Sequence, residues 1–232
     1  MKKILLLLLS VFFVMNTFAG DAAVFDDIGF SADGKYYLFG QYGKTDKTYK
    51  AWAEIFTVDV AKNDFVKGEV YKTVSSEADE SSGKKCYENL KEKNEWKISK
   101  YKAAPSDAKT LLYLRESETK KSAEEIVFKD FENSTPEKSI YYHIKIVPAF
   151  EGSGKNCKSK YYIDLKRTDE NSNVISQHKI GTPDFKRKGI TDYQIDKIFT
   201  DKSGKNLVFI IQKTLEDENG TSIRYMVETF SM

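Results

Sequence analysis

Histidine is nearly absent from this chain, with two residues, and cysteine is as scarce. A Ser-His-Asp triad would have to use His143 or His178, and neither sits in a recognisable motif. A zinc site is disfavoured for the same reason, since the two histidines fall in strand-like runs without ligand spacing. No Gly-rich phosphate loop is present: Ser-Gly-Lys recurs at 82–84, 153–155 and 203–205, but none has the preceding glycine and following Ser or Thr of that motif. There is no G-x-S-x-G nucleophile elbow and no complete calcium loop. Paired acids such as Asp26-Asp27 and Asp169-Glu170 are expected by number alone among 35 acidic residues, so they do not specify a glycosidase pair. The reading is of no catalytic, cofactor or metal residue, with enzymatic activity left undecided.

An excess of one charge is lacking too. The chain holds 37 basic and 35 acidic residues, interspersed throughout. Two of the lysines, Lys2 and Lys3, fall in the opening segment, so the remainder is formally neutral. That balance excludes a nucleic-acid stripe or a polybasic membrane patch. Proline is rare, at four residues, and no apolar run beyond the opening one is long enough to span a bilayer.

What is present begins with MKKILLLLLSVFFVMNTFAG. Two lysines precede an apolar run from Ile4 to Met15, and Thr17-Phe18-Ala19 supplies small residues for a cut after Ala19, or after Gly20. This is a secretory signal peptide by layout. The absence of a cysteine behind it disfavours a lipid anchor. Residues 1–19 are therefore read as signal peptide and 20–232 as a single β-rich domain, exported to the periplasm or outside, with no membrane span after cleavage. In that compartment Cys86 and Cys157 are a candidate disulfide, closing a loop of about 70 residues worth ~4–5 kcal/mol. Two free buried thiols are the alternative.

Tyrosine and phenylalanine are plentiful, at 14 and 15 residues. With the β-branched residues they form runs of five to ten, separated by Gly, Asn, Asp, Ser and Lys, which is strand patterning. Strands are expected near 23–30, 35–42, 51–60, 65–73, 109–115, 124–131, 139–149, 159–167, 173–180, 193–200, 206–215 and 222–230. In SIYYHIKIVP, the residues Ile140, Tyr142, Ile144 and Ile146 share a core face, leaving His143 on the solvent side. Leu207-Val208-Phe209-Ile210-Ile211 is apolar on both faces and reads as a central strand. Residues 86–101 hold helix formers without Gly or Pro and read as one helix, with stripes Cys86-Leu90-Lys93-Lys97 and Tyr87-Leu90-Asn94-Ile98. Ala103-Ala104-Pro105 ends it. Residues 74–85 and 116–123 read as polar loops.

The chain repeats itself. FDDIGFSADGKYYLFGQYG, at 25–43, is echoed by IDKIFTDKSGKNLVFIIQK, at 195–213. At an offset of 170, Asp26, Ile28, Gly34, Lys35 and Phe39 meet their own kind, and AEIFTVDV from Ala53 lies opposite IRYMVETF from Ile223. Asp33-Gly34 and Ser203-Gly204 are the turns: glycine supplies positive φ, and the Asp or Ser beside it bonds the turn backbone. These four residues are structural candidates rather than ligands.

GFSADGKYYLFG followed by AEIFTVDV resembles one blade of the repeats in the periplasmic TolB protein and other six- or seven-bladed propellers, with Ala32 where those repeats prefer proline. The likeness implies mainly-β architecture, either antiparallel sheets of propeller-blade-like hairpins or a β-sandwich, plus the helix near 86–101. The signal peptide, FSADGKYYLFGQYG, AEIFTVDVAKNDFV and the helical insert together resemble a family of predicted secreted bacterial proteins, domain of unknown function 2259. That resemblance implies export and carries no catalytic residue.

Surface aromatics remain. Tyr36, Tyr42, Tyr49, Trp52, Trp96, Tyr141 and Tyr161 suit either cross-strand pairing or contact with a protein or glycan partner. The expected function is a non-catalytic binding or scaffold module of the cell envelope. The alternatives are an envelope-acting hydrolase whose site assembles from scattered strands, and a purely structural assembly factor.

Overall fold

A computed structural model describes residues 21–76, 82–116 and 125–232. The leader read at 1–19, and the polar stretches over 77–81 and 117–124, lie outside them. The chain runs β1 (Asp21–Ala22), β2 (Val24–Phe30), β3 (Tyr36–Lys44), β4 (Ala51–Asp59), β5 (Asp64–Val74), α1 (Gly83–Lys93), α2 (Glu95–Ser99) and β6 (Leu111–Leu114). It continues through β7 (Ile126–Lys129), β8 (Ile140–Glu151), β9 (Lys158–Asp169), β10 (Val174–Ile180), β11 (Arg187–Lys188), β12 (Ile190–Thr200), β13 (Asn206–Asp217) and β14 (Gly220–Ser231). All twelve expected strands are found, and the protein is mainly β.

Three sheets stack in series. The central one has the order β1-β14-β13-β12-β6, the second β2-β3-β4-β5, and the third β10-β9-β8-β7 with β11 added to β9. All pairs are antiparallel except β1 on β14. The stack follows from β13. Leu207, Phe209 and Ile211 enter one core with Tyr142, Ile144, Ile146, Tyr161, Ile163 and Leu165 of the third sheet. Val208 and Ile210 enter another with Tyr37, Phe39, Phe56 and Val58 of the second. An apolar strand of period two with both faces covered needs a sheet on each side. On β8 the expected alternation holds, and His143 lies on the outer face, 3.2 Å from the Thr168 hydroxyl.

The second sheet buries its far face under α1. Here the expected single helix is corrected. It starts earlier, at Gly83, because the Ser82 hydroxyl caps it by accepting from the Lys85 N–H at 3.2 Å. It breaks at Asn94, whose side-chain amide donates to the Leu90 carbonyl at 2.8 Å and competes with the backbone ladder. Of the two stripes, the one through Tyr87, Leu90 and Asn94 is buried. Two glycines allow the approach. A Cβ on Gly40 would lie 2.3 Å from the Tyr87 hydroxyl oxygen, and one on Gly83 would lie 2.6 Å from the Gly43 carbonyl oxygen. The Tyr87 ring so seated stacks on Tyr42 at 5.1 Å and donates its hydroxyl to Asp26 at 2.6 Å.

The repeat is real at the level of the hairpin. Phe30 pairs Tyr37 and Phe25 pairs Gln41; their echoes Thr200 and Leu207, and Ile195 and Ile211, pair in the same way. Each first strand carries one bulge between those points. The third strand departs from the expected register. Tyr42 faces Ala53, but its echo Gln212 faces Tyr225, two positions beyond Ile223. A slip of two keeps every side chain on its own face, so the sheet tolerates it. The two hairpins are consecutive layers: Tyr37 and Phe39 point into the central sheet, while Leu207 and Phe209 point on into the third.

Residues just behind the expected cleavage site are part of the fold. Asp21 is buried in β1, pairs with Arg224 and accepts from the Trp52 indole N–H at 3.3 Å.

Gly40→Ala is expected to cost ~2–3 kcal/mol by overpacking Tyr87. In a Tyr87→Ala background the same substitution should cost much less, since the clashing ring is gone. Urea unfolding of the four proteins in that cycle checks it; an undiminished cost in the Tyr87→Ala background refutes the assignment.

Candidate functional site

The four turn residues come together at one end of the stack. In the first turn the Gly34 N–H donates to the Ser31 carbonyl at 2.9 Å, and in the second the Gly204 N–H donates to the Asp201 carbonyl at 3.0 Å. Both glycines have positive φ, 71° and 69°. The Asn206 amide of the second turn donates to the Gly34 carbonyl of the first at 3.3 Å. A cleft of about 340 Å³ opens beside them, lined by both turns with Pro105, Asp107 and Met232.

Its carboxylates are already occupied. Asp201 accepts from the Lys205 and Asn206 N–H groups, both at 3.1 Å, and from the Ser203 hydroxyl at 2.8 Å. The Ser31 hydroxyl and then the Lys35 N–H hold Asp33 below the usual carboxylate pKa, and the Lys109 and Thr110 N–H groups do the same for Asp107. Asp33 and Asp107 therefore stay ionised at neutral pH and are unsuited to donate a proton. Asp33, Gly34, Ser203 and Gly204 are placed as turn-makers.

The two cysteines are not bonded to each other. Cys86 lies on α1 against the second sheet, and Cys157 is buried just before β9 in the third. The central sheet lies between those layers, so the candidate disulfide is not formed. Of the seven aromatics singled out from the sequence, Tyr49 and Trp96 are strongly exposed, at 66% and 72%. Trp52 and Tyr161 are buried, Tyr36 packs tilted against Tyr101, and Tyr42 stacks on Tyr87. Cross-strand and helix packing therefore accounts for most of them. Among the described residues no group of three or more His, Cys, Asp or Glu is arranged to hold a metal ion, and no helix is long and apolar enough to cross a membrane.

A second cavity, of about 260 Å³, forms where all three sheets meet. The β4–β5 turn brings Asn63, Asp64 and Phe65; β14 brings Met226, Val227 and Glu228; the segment from Thr182 to Arg187 brings Phe185 and Arg187 from the third sheet. Glu228 is buried, with 6% exposure. Its two oxygens accept from the Tyr161 hydroxyl and the Asn63 amide, each at 2.5 Å. Burial, and then the Glu228 charge, push the Tyr161 pKa far up, so the phenol stays neutral and donates. Arg187 lies over the Tyr161 ring at 4.7 Å and the Phe185 ring at 5.0 Å. Its hydrogen bonds are long, 3.4 Å to the Phe185 carbonyl and 3.5 Å to the Thr182 hydroxyl. Among the described residues neither Glu228 nor Arg187 has an oppositely charged group within 4.0 Å.

Sequence reading missed this site. One signal was there: Met226, Glu228 and Phe230 share a strand face, which puts an acid in phase with the core. Nothing local linked it to Arg187, 41 positions earlier in the numbering.

A family model described as Predicted secreted protein (DUF2259) matches residues 38–231. The chain belongs to this family. No curated protein and no solved structure matches it. The match takes in the Ser203–Gly204 turn and the three-sheet junction of this DUF2259 protein, and leaves β1, β2 and the Asp33–Gly34 turn outside.

One amine of the DUF2259 chain, that of Lys213, has a lowered pKa. Burial lowers half-buried Lys213 to about 8; Glu54 opposes this, while Arg187, Lys72 and Arg224 add to it. An unfolded lysine titrates near ~10.4. Between pH 8 and ~10 the unfolded chain therefore binds more protons at this site, and stability rises with pH. Above ~10 the sign reverses. Tyr37, Tyr87 and Tyr161 have raised pKa values in the fold, chiefly through burial, so they ionise first in the unfolded chain and stability falls. Lys213→Met is expected to add about 1–2 kcal/mol at pH 7 and to flatten the rise between pH 8 and 10. Urea midpoints measured across that range check both, and an unchanged slope in Lys213→Met refutes the assignment.

Proposed function

We propose that this protein is an exported, non-catalytic binding module, with residues 20–232 as one domain, and that its ligand pocket is the three-sheet junction around Arg187 and Glu228. One observation carries the reading: a buried carboxylate and a guanidinium, neither with an oppositely charged partner within 4.0 Å among the described residues, face the same aromatic-walled cavity. A buried charge is costly unless it is paired. Here the buried charge is Glu228; half-buried Arg187 beside it offers the second recognition group, and Phe65, Phe185 and Met226 offer the apolar surface typical of ligand sites. The leader and the description of the family support export, to the periplasm or beyond it. The occupied carboxylates of the two-turn cleft favour binding over the hydrolase alternative.

Saturation-transfer NMR with a defined mixture of free amino acids, monosaccharides and small carboxylic acids tests the proposal. At least one component is expected to receive transfer from the wild-type protein. Arg187→Met should abolish it, because a hydrogen bond to a charged group is worth about 1.5–3 kcal/mol, or roughly 10- to 150-fold, and Phe185→Ala should abolish it by removing the apolar wall. Transfer to no component, or transfer that survives both substitutions, overturns it.

A further inference from the structure

We infer that the junction pocket takes a zwitterion with an apolar side chain, namely a free apolar α-amino acid. This rests on the pocket being a ligand site. Three features define the ligand. Arg187 makes long bonds, 3.4 and 3.5 Å, to the Phe185 carbonyl and the Thr182 hydroxyl, and its side chain also reaches the Tyr193 hydroxyl, which leaves N–H groups of its five-donor fork for a carboxylate. Glu228 keeps lone pairs beyond those given to Tyr161 and Asn63, so it can accept from an ammonium. Phe65 and Phe185, exposed at 45% and 61%, form the wall between them with Met226 and Val227.

The two charges are near neighbours, because both touch Tyr161: Arg187 lies over the ring face and Glu228 accepts from the hydroxyl at the ring edge. A simple anion would satisfy Arg187 and leave Glu228 buried and uncompensated. A simple cation would do the reverse. A ligand carrying both charges on groups attached to one carbon satisfies both, and its net charge of zero adds none to the pocket. Asp64 also lines the cavity, but its carboxylate is exposed and accepts from the Phe65 N–H at 2.7 Å, so water screens it. The volume, about 260 Å³, lies at the lower edge of small-molecule pockets and suits one residue rather than a peptide.

Isothermal titration calorimetry with four probes tests the inference: L-phenylalanine, L-leucine, N-acetyl-L-phenylalanine (anion only) and L-phenylalanine amide (cation only). The two free amino acids are expected to bind the wild-type protein, and each capped compound at least 10-fold more weakly. In Arg187→Met the amide should bind as well as the free amino acid, and in Glu228→Gln the N-acetyl compound should. Circular dichroism establishes that each variant is folded; if Glu228→Gln does not fold, the wild-type probe series still decides. N-acetyl-phenylalanine or the amide binding the wild type as tightly as phenylalanine overturns the zwitterion and leaves the pocket reading intact. So does binding of a sugar or carboxylic acid from the NMR mixture with no binding of either amino acid. Absence of binding by every probe and every mixture component overturns both.

Discussion

The whole arrangement depends on β13 being apolar on both of its faces. A strand with one apolar face can sit at the surface of a two-layer sandwich. Five consecutive apolar residues, Leu207 to Ile211, leave no face for water, and the chain must supply a sheet on either side. All five are at most 1% exposed. At ~1.5–3 kcal/mol for each fully buried aliphatic or aromatic side chain, this one strand accounts for a large part of what opposes chain entropy. The second and third sheets meet it from opposite sides, so the central place of its sheet in the stack follows from β13 being covered on both faces.

Closing the outside of the second sheet needed a different device. That sheet is also apolar on its far face, through Leu38, Ala53 and Ile55, and α1 covers it. The helix approaches so closely that side chains had to be removed at Gly40 and Gly83. The segment FGQYG, which carried the family resemblance, has a physical meaning here: its first glycine makes room for the Tyr87 ring, and its second presents a carbonyl to the helix at Gly83.

Strands, turns and the internal repeat were legible because each depends on neighbours in the chain. Period-two patterning, a glycine at positive φ and a capping hydroxyl are local requirements. The helix was legible as an element, but its break at Asn94 was not, since asparagine within a helix bonds either outward or back to its own backbone. The two-residue slip opposite β13 was hidden because it preserves the face of every residue. The disulfide expectation followed from compartment and count, which say nothing of the distance between layers. The surface aromatics were over-read because composition does not separate Trp52, locked on Asp21, from Trp96 in solvent.

Taken alone, the amino-acid sequence determined the class of the protein, its strands, the repeated hairpin and the family, since period and turn chemistry are written in short spans of chain. Only the tertiary structure decided which charges meet. Glu228, Asn63, Tyr161 and Arg187 come from three sheets and are spread over 166 positions. Whether a carboxylate is solvated, paired or left facing a cavity depends on what the packing of distant layers places beside it, and no local pattern encodes that.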